Sequence, residues 1–216
     1  MPGHRQRALI ADDHHLVAEM CSKLLETEFT VVGIVQNGRA MVRAAGELKP
    51  DVIVVDVAMP VLNGLDAGQQ VKEKWPSVKL VYLTMNPDPE LAAEAFRRGA
   101  SGYLLKTCAC SELVAAVRAA LRGTSYISRG LPKELVAYLR TQDRAEMVKE
   151  DERLTERQRE VLQLLVEGKV MKEVGSILHM SARTVAFHKY KIMETLGIHC
   201  DADLVRYAIR NHIIAA

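Results

Sequence analysis

Five short apolar runs alternate with stretches of helical periodicity over the first 123 residues, and this alternation restricts the fold more than any other feature. The runs cover residues 8–11, 31–35, 52–55, 80–83 and 103–105. Continuous apolarity over so few residues is typical of strands that are covered on both faces. Strands that alternate with helices predict an α/β domain with a doubly wound, five-stranded parallel sheet.

The strand signal ends near Gly123, and only helical periods follow. Thr155 with Gln158 three residues later fits a capping box, and Gly168 ends the apolar face of the helix that this box begins. Further helices are predicted over 170–178, 181–196 and 202–213, which makes a small all-α unit of four helices. We therefore predict an α/β domain over 1–127, a helical and charged linker over 128–150 and a four-helix domain over 151–216.

Composition narrows the class of protein. The chain has 216 residues, of which 49% are hydrophobic and 26% charged, and this mix is typical of globular domains and not of disordered chains. No apolar run approaches the roughly 20 residues of a membrane span, and the N-terminal apolar stretch is too short for a signal peptide. Four irregularly spaced cysteines favour reduced thiols over a disulfide framework. We expect a cytoplasmic protein without membrane association.

Polar side chains end four of the five runs. Asp12 and Asp13 follow the first run, Asp56 the third, Thr84 the fourth and Lys106 the fifth. A single aspartate after a strand usually just begins a loop, but the carboxyl ends of parallel strands share one edge, so this coincidence favours a common site. Carboxylate oxygens are ligands that Mg²⁺ prefers. A hydroxyl and an ammonium beside them can contact the oxygens of a phosphoryl group.

The segments ALIADDHHLV, DVIVVDVAMPVLNGLDA, VYLTM and GASGYLLK make residues 7–123 resemble a response-regulator receiver domain, which is flavodoxin-like in fold. The resemblance implies that Asp56 accepts a phosphoryl group from a histidine kinase. It implies that Asp12, Asp13, Asp56 and the backbone carbonyl of Ala58 hold Mg²⁺. It also implies that Lys106 contacts the phosphoryl group while Thr84 and Tyr103 move in response.

This sequence departs from the receiver pattern at two positions. Thr107 stands where receivers most often have proline, which alters the loop after Lys106. Met85 stands where a smaller residue is common, which alters access to Asp56. Every reacting group of the pattern is nevertheless present.

Two other groups of residues are candidates for metal binding. His14 and His15 follow the acidic pair and are candidates for transition-metal ligands, although solvated residues at a helix start are the commoner interpretation. Cys108 and Cys110 lack a second ligand pair nearby, so unreactive thiols are favoured over a zinc or redox site.

A cationic stripe without acidic residues lies between Glu173 and Glu194. Residues 171–196 are predicted to form helix, turn and helix, with the turn at 179–181 and Ser181 as cap. On the second helix Val185, Ile192 and Leu196 face inward. Charge alone favours an ordinary helix hairpin, but exposed aromatic side chains among cations favour contacts with nucleic acid.

The segment LTERQREVLQLLVEGKVMKEVGSILHMSARTVAFHKYKIMETLGI resembles a LuxR-type helix-turn-helix domain. The resemblance implies that the helix over 181–196 enters the major groove and that the final helix forms a dimer contact. The implied DNA-binding residues are Lys172, Arg183, Thr184, Ala186, Phe187, Lys189, Tyr190 and Lys191. Lys189 replaces a common aliphatic residue and Thr195 a common lysine, so local contacts are expected to differ.

Taken whole, the chain resembles the NarL/FixJ class of two-component response regulators. This resemblance implies a homodimeric transcription factor that binds double-stranded DNA under phosphorylation control, and not an enzyme. One alternative is a Mg²⁺ phosphohydrolase of the haloacid dehalogenase type, but such enzymes carry a second aspartate where this chain has Ala58. The other is a DNA-binding regulator whose receiver acts as a dimerisation or ligand module independently of phosphorylation.

Overall fold

The computed structural model describes residues 5–131 and 154–214, and these residues form two compact units. The first unit contains one parallel sheet with the strand order β2-β1-β3-β4-β5-β6. Its strands are β1 (Arg7–Ala11), β2 (Thr30–Val35), β3 (Val52–Asp56), β4 (Lys79–Thr84), β5 (Gly102–Leu105) and β6 (Tyr126–Ile127). The α/β class and the parallel sheet are therefore confirmed.

The sheet has six strands where the sequence predicted five. The added strand, β6, pairs with β5 through Gly102 with Tyr126 and Tyr103 with Ile127. Two residues are too short to give a periodic signal, which is why the apolar pattern missed this edge strand.

Five helices connect the strands, as the sequence predicted. They are α1 (His15–Leu25), α2 (Gly38–Leu48), α3 (Gly64–Lys74), α4 (Pro89–Arg97) and α5 (Ala109–Leu121). The side chains of Asn37, Asn63 and Asp88 cap α2, α3 and α4 by accepting bonds from backbone N–H groups. A short 3-10 helix, Lys106–Cys108, joins β5 to α5.

Both faces of the sheet are buried. Alternate strand residues, such as Ile10, Val54 and Leu104, pack with Cys21 of α1 and Leu113 of α5. Residues of the opposite face, such as Leu9, Ile53 and Tyr82, are also fully buried. Burial on both faces explains why the strands are continuously apolar.

Leu16, Met20 and Leu24 recur at a spacing of four along α1, but they differ in burial. Met20 and Leu24 are partly buried against the core, while Leu16 is 80% exposed. The buried positions of α1 are Ala18, Cys21 and Leu25. Since successive helical residues are about 100° apart, Leu16 lies about 200° from Ala18 and so points away from the sheet.

The second unit is helical. Its helices are α6 (Glu156–Val166), α7 (Met171–Leu178), α8 (Ala182–Leu196) and α9 (Asp201–Arg210). The Thr155–Gln158 capping box is present, and Gly168 adopts the left-handed conformation after α6 with φ of 85°. Val161, Val174 and Leu204 lie in a core shared by the four helices, so the all-α prediction is confirmed.

Most of the predicted linker lies outside the described residues, as does the helix expected within 131–150. The domain boundaries at 127 and 150 stay predictions. In the described part of the chain, no helix is long and apolar enough to span a membrane.

Candidate functional site

The order of the strands places a crevice between β1 and β3. From β1 the chain moves to β2 on one side and then returns to β3 on the other, and ligands bind at such a reversal, beyond the carboxyl ends of the strands. Asp12 directly follows β1, and Asp56 is the last residue of β3. Their side chains are almost completely buried, at 1% and 2% exposure. Two buried carboxylates at one crevice require a compensating cation.

Lys106 supplies that cation. Its Nζ lies 2.8 Å from Asp12 Oδ2 and 2.8 Å from Asp56 Oδ2. Burial lowers the pKa of Lys106, but the bonds to Asp12 and Asp56 outweigh burial, so the pKa is raised overall. Burial raises the pKa of Asp56 to about 6, and Lys106 only partly opposes this rise. The predicted meeting of Asp12, Asp56 and Lys106 is therefore present in the structure.

The loop after β3 fixes the Asp56 carboxylate. The backbone N–H of Ala58 donates to Asp56 Oδ1 at 3.2 Å, and that of Gly64 donates to the carbonyl of Val57 at 2.8 Å. A Cβ atom on Gly64 would lie 2.0 Å from the Asp56 carbonyl oxygen. Only glycine therefore allows α3 to begin this close to the loop. Asn63 caps α3 and Gly64 is its first residue, but nothing in the sequence indicates this approach to Asp56.

The two histidines after the acidic pair differ in their surroundings. His14 Nδ1 lies 3.0 Å from Asp13 Oδ1, 3.4 Å from Asp12 Oδ1 and 3.9 Å from Asp56 Oδ2. His15 instead pairs with Glu19 along α1, its Nε2 3.2 Å from Oε1. Both side chains are exposed, His14 at 66% and His15 at 69%, and both stand at the start of α1, so their interpretation as solvated residues at a helix start is confirmed.

Thr84 and Tyr103 lie at the neighbouring strand ends. Thr84 ends β4 and is buried, and its hydroxyl accepts a bond from the backbone N–H of Asn86 at 3.0 Å. Tyr103 of β5 is completely buried, and burial raises the pKa of its hydroxyl. The aromatic side chain expected to follow Thr84 inward thus already lies inside the domain.

The oxygen atoms of this pocket fit a hard cation. Asp12, Asp13, His14 and Asp56 each offer a ligand atom, and these atoms all lie within 4.8 Å of one another. Three carboxylates are the kind of donors that Mg²⁺ takes in proteins. The four cysteines are free, and none belongs to a group of three or more metal-ligating side chains in the residues that the structure describes.

A second candidate site lies on α7 and α8. His179, in the left-handed conformation with φ of 55°, ends α7, and Ser181 caps α8 by accepting from the N–H of Thr184 at 3.1 Å. A Cβ atom on Gly175 would lie 2.6 Å from the Met180 carbonyl oxygen. The helix-turn-helix is therefore confirmed, and its turn packs so closely on α7 that glycine is needed there.

The outer face of α8 carries aromatic side chains and a cation. Phe187 and Tyr190 are 66% and 67% exposed, while Val185 and Ile192 are buried on the opposite side. Arg183 and Thr184 are exposed near the start of α8, Lys172 is exposed on α7, and Ala186 is half-buried. Lys172 and Arg183 make no ion pair with any residue that the structure describes.

Two of the expected DNA-binding lysines have partners within the unit. Lys189 Nζ lies 2.7 Å from Asp201 Oδ1 at the start of α9, and only 18% of its side chain is exposed. Lys191 Nζ lies 2.9 Å from Glu194 Oε2, but half of its side chain remains exposed. Spacing along α8 could not show the Lys189 partner, because Asp201 belongs to another helix.

Two protein families match the chain. The family described as "Response regulator receiver domain" matches residues 8–118, and the family described as "Bacterial regulatory proteins, luxR family" matches residues 152–208. The chain belongs to the DNA-binding two-component response regulators with a LuxR-type helix-turn-helix domain. Members of this family are transcription regulators and not enzymes.

Individual relatives have the same organisation. The transcriptional regulatory protein LiaR of Bacillus subtilis is 33% identical over 210 residues, covering 96% of this chain and 99% of LiaR. The oxygen regulatory protein NreC of Staphylococcus aureus is 32% identical over 214 residues, with the same coverage. Both are regulators of the NarL/FixJ class, so that prediction is confirmed.

Solved structures agree with this family. RcsB from Salmonella enterica serovar Typhimurium, bound to promoter DNA in the presence of the phosphomimetic BeF3⁻, matches with a TM-score of 0.56 and 26% identity. The match covers 98% of this chain and 100% of that chain.

Proposed function

We propose that this regulator is controlled by transfer of a phosphoryl group from a histidine kinase to Asp56, and that the transfer changes its dimerisation and its DNA binding. The observation that carries the proposal is the contact of one ammonium, on Lys106, with the carboxylates of both Asp12 and Asp56 at 2.8 Å. Such a group neutralises charge on a carboxylate nucleophile and on the phosphoryl group that it receives.

Asp56 is the nucleophile of the proposed transfer. A carboxylate oxygen attacks phosphorus, the bond between phosphorus and the histidine nitrogen of the kinase breaks, and that nitrogen retains the electron pair. The product is an acyl phosphate, which hydrolyses readily and so allows the signal to be reset. Lys106, already in contact with Asp56, then pairs with the new phosphoryl oxygens.

Asp12, Asp13, Asp56 and the backbone carbonyl of Ala58 would hold Mg²⁺. When bound, the ion neutralises negative charge on the transferring group. Asp12 is fixed for this role, because its Oδ1 accepts the backbone N–H of His14 at 2.9 Å. Asp13 is more exposed and completes the set of carboxylates.

Thr84 responds to the modification, and the buried ring of Tyr103 lies behind it. The added group brings about −1.5 to −2 charges and three acceptor oxygens. The Thr84 hydroxyl turns from Asn86 toward one of those oxygens, and Tyr103 holds its inward position behind it. The active state is favoured only by its stronger contacts with the phosphoryl group, and a preference of about 1–3 kcal/mol is typical of such coupling.

The second unit reads DNA with α8 in the major groove. Lys172, Arg183 and Thr184 are placed to meet phosphates, while Ala186, Phe187 and Tyr190 face base edges and thymine methyl groups. Lys191 adds a phosphate contact at the exposed end of its side chain, and α9 forms the dimer contact. The DNA complex of the similar RcsB supports this use of the unit. We expect a homodimer that works in the bacterial cytoplasm.

The proposal is tested by comparing the parent protein with Asp56→Asn, each with and without acetyl phosphate and magnesium. We expect acetyl phosphate to promote dimers and to increase DNA affinity in the parent alone. An equal response of the variant would show that Asp56 is not the switch. The absence of any response in the parent, with DNA binding intact, would favour a receiver that acts independently of phosphorylation.

A further inference from the structure

The imidazole of His14 lies at the solvent-exposed rim of the phosphorylation pocket, with 66% of its side chain exposed, beside three carboxylates. Its Nδ1 is 3.0 Å from Asp13 Oδ1, 3.4 Å from Asp12 Oδ1 and 3.9 Å from Asp56 Oδ2. It therefore approaches one oxygen from each of the three acidic residues expected to hold a divalent cation. The receiver pattern assigns no ligand to this position.

Local backbone geometry holds His14 there. His14 is the N-cap residue of α1, and its backbone N–H donates to Asp12 Oδ1 at 2.9 Å. Its side chain makes no capping bond with the helix, so the ring is not engaged in satisfying the first turn. His15, one residue later, has its ring beside Glu19 instead. The backbone turn thus selects one histidine of the pair for the pocket.

The separations match those of ligands around a single ion. Two ligands at right angles, with bonds of about 2.1 Å, lie about 3.0 Å apart, and opposite ligands lie about 4.2 Å apart. The three distances from His14 Nδ1 fall between about these limits. The four ligand atoms lie within 4.8 Å of one another, so sharing one coordination sphere requires the side chains to draw together around the ion.

We propose that His14 Nδ1 is an additional ligand of the divalent-metal site, so that the site prefers first-row transition-metal dications over Mg²⁺. The proposal rests on the metal site of the proposed function. Imidazole nitrogen is a poor ligand for Mg²⁺ but a favourable one for Co²⁺, Ni²⁺ and Zn²⁺. Carboxylates alone give a weaker preference of this kind, which the nitrogen ligand strengthens.

Electron spin-echo spectroscopy of the full-length protein loaded with Mn²⁺ tests the assignment, because it detects a nitrogen bound directly to the ion. The variants are His14→Gln and, as matched control, His15→Gln. We expect nitrogen modulation in the parent and in His15→Gln, and its loss in His14→Gln. Persistence of the modulation in His14→Gln, or its absence in the parent, would overturn the proposal.

Affinity gives a second readout that does not depend on phosphorylation. Loss of the nitrogen ligand should weaken Co²⁺ binding in His14→Gln by at least about tenfold, since even outer-shell ligand partners are worth that much. Mg²⁺ affinity should change little, which also shows that the variant folds. Equal losses for Co²⁺ and Mg²⁺ would contradict the proposal.

The two proposals fail in different ways. If the parent protein binds Mn²⁺ without nitrogen modulation and Asp13→Asn abolishes that binding, His14 is not a ligand but the proposed metal site stands. Parent protein that binds Mn²⁺ no better than Asp13→Asn overturns both.

Discussion

Lys189 Nζ lies 2.7 Å from Asp201 Oδ1, and this ion pair joins the middle of α8 to the first residue of α9. Lys189 was expected to bind DNA, but the structure gives its ammonium a partner inside the domain. The pair instead links the helix proposed to read DNA with the helix proposed to form dimers. Lysines of this domain should therefore differ in what they contribute to DNA affinity.

The salt dependence of DNA binding separates these roles. Lys172→Ala and Arg183→Ala should each reduce the slope of log affinity against log salt by about 0.9 per bound protomer, because each removes one phosphate contact from each protomer. Lys189→Ala should leave the slope unchanged. Titrations of one DNA duplex over a series of salt concentrations measure all three. A slope for Lys189→Ala that falls as much as that for Lys172→Ala would place Lys189 on the DNA backbone.

Asp56→Asn should stabilise the receiver domain near neutral pH in metal-free buffer. The pKa of Asp56 is raised from 3.8 to about 6, so the folded state binds the proton more tightly than the unfolded state does. Ionised Asp56 therefore costs stability, and this cost is absent below about pH 4 and complete above about pH 6. The substitution should raise the free energy of unfolding by up to about 3 kcal/mol near pH 7, and by much less near pH 4.

Denaturation followed by tryptophan fluorescence measures this effect, because the chain has one tryptophan, Trp75, in the receiver domain. A stabilisation that does not depend on pH would show that the cause is not the ionised carboxylate. A loss of stability at neutral pH would show that the bond to Lys106 outweighs the burial of Asp56.

Gly68→Ala should destabilise the receiver domain, although alanine is the better helix former. A Cβ atom on Gly68 of α3 would lie 2.0 Å from Tyr82 Oη and 3.1 Å from Leu80 Cδ1. Overpacking of this kind costs about 1–3 kcal/mol. Urea denaturation measures the change.

Tyr82→Phe is the matched second variant, because it removes the hydroxyl that a Cβ atom on Gly68 would strike. Tyr82 Oη is buried and has no hydrogen-bond partner among the described residues, so its removal should cost little by itself. The double variant should then recover part of the stability that Gly68→Ala loses. An increase in stability for Gly68→Ala alone would show that α3 shifts at little cost.

The sequence predicted the pocket because its residues occupy a repeated position, the carboxyl end of a parallel strand. Asp12, Asp56, Thr84 and Lys106 each end or follow one strand, so topology alone brings them to one edge. The helix-turn-helix could be predicted equally well, since the inward residues Val185 and Ile192 follow helical spacing. Features that depend only on the periodicity of helices and strands can therefore be predicted from the sequence alone.

The remaining features depend on side-chain direction or on contacts between distant segments. Nothing in the sequence distinguishes His14 from His15, because a turn held by Asp12 decides which ring lies beside the carboxylates. The Lys189–Asp201 pair crosses between helices, and the approach of Gly64 to Asp56 is a contact with backbone. Composition and spacing carry no information about any of these contacts.

Chemical identification of the phosphorylated residue shows whether Asp56 receives the phosphoryl group. The parent protein is treated with acetyl phosphate and magnesium, the acyl phosphate is reduced with borohydride, and the position of the resulting homoserine is found by peptide mass spectrometry. We predict homoserine at position 56 of the parent protein and none anywhere in Asp56→Asn. Homoserine at Asp12 or Asp13, or an unmodified parent protein, would contradict the account.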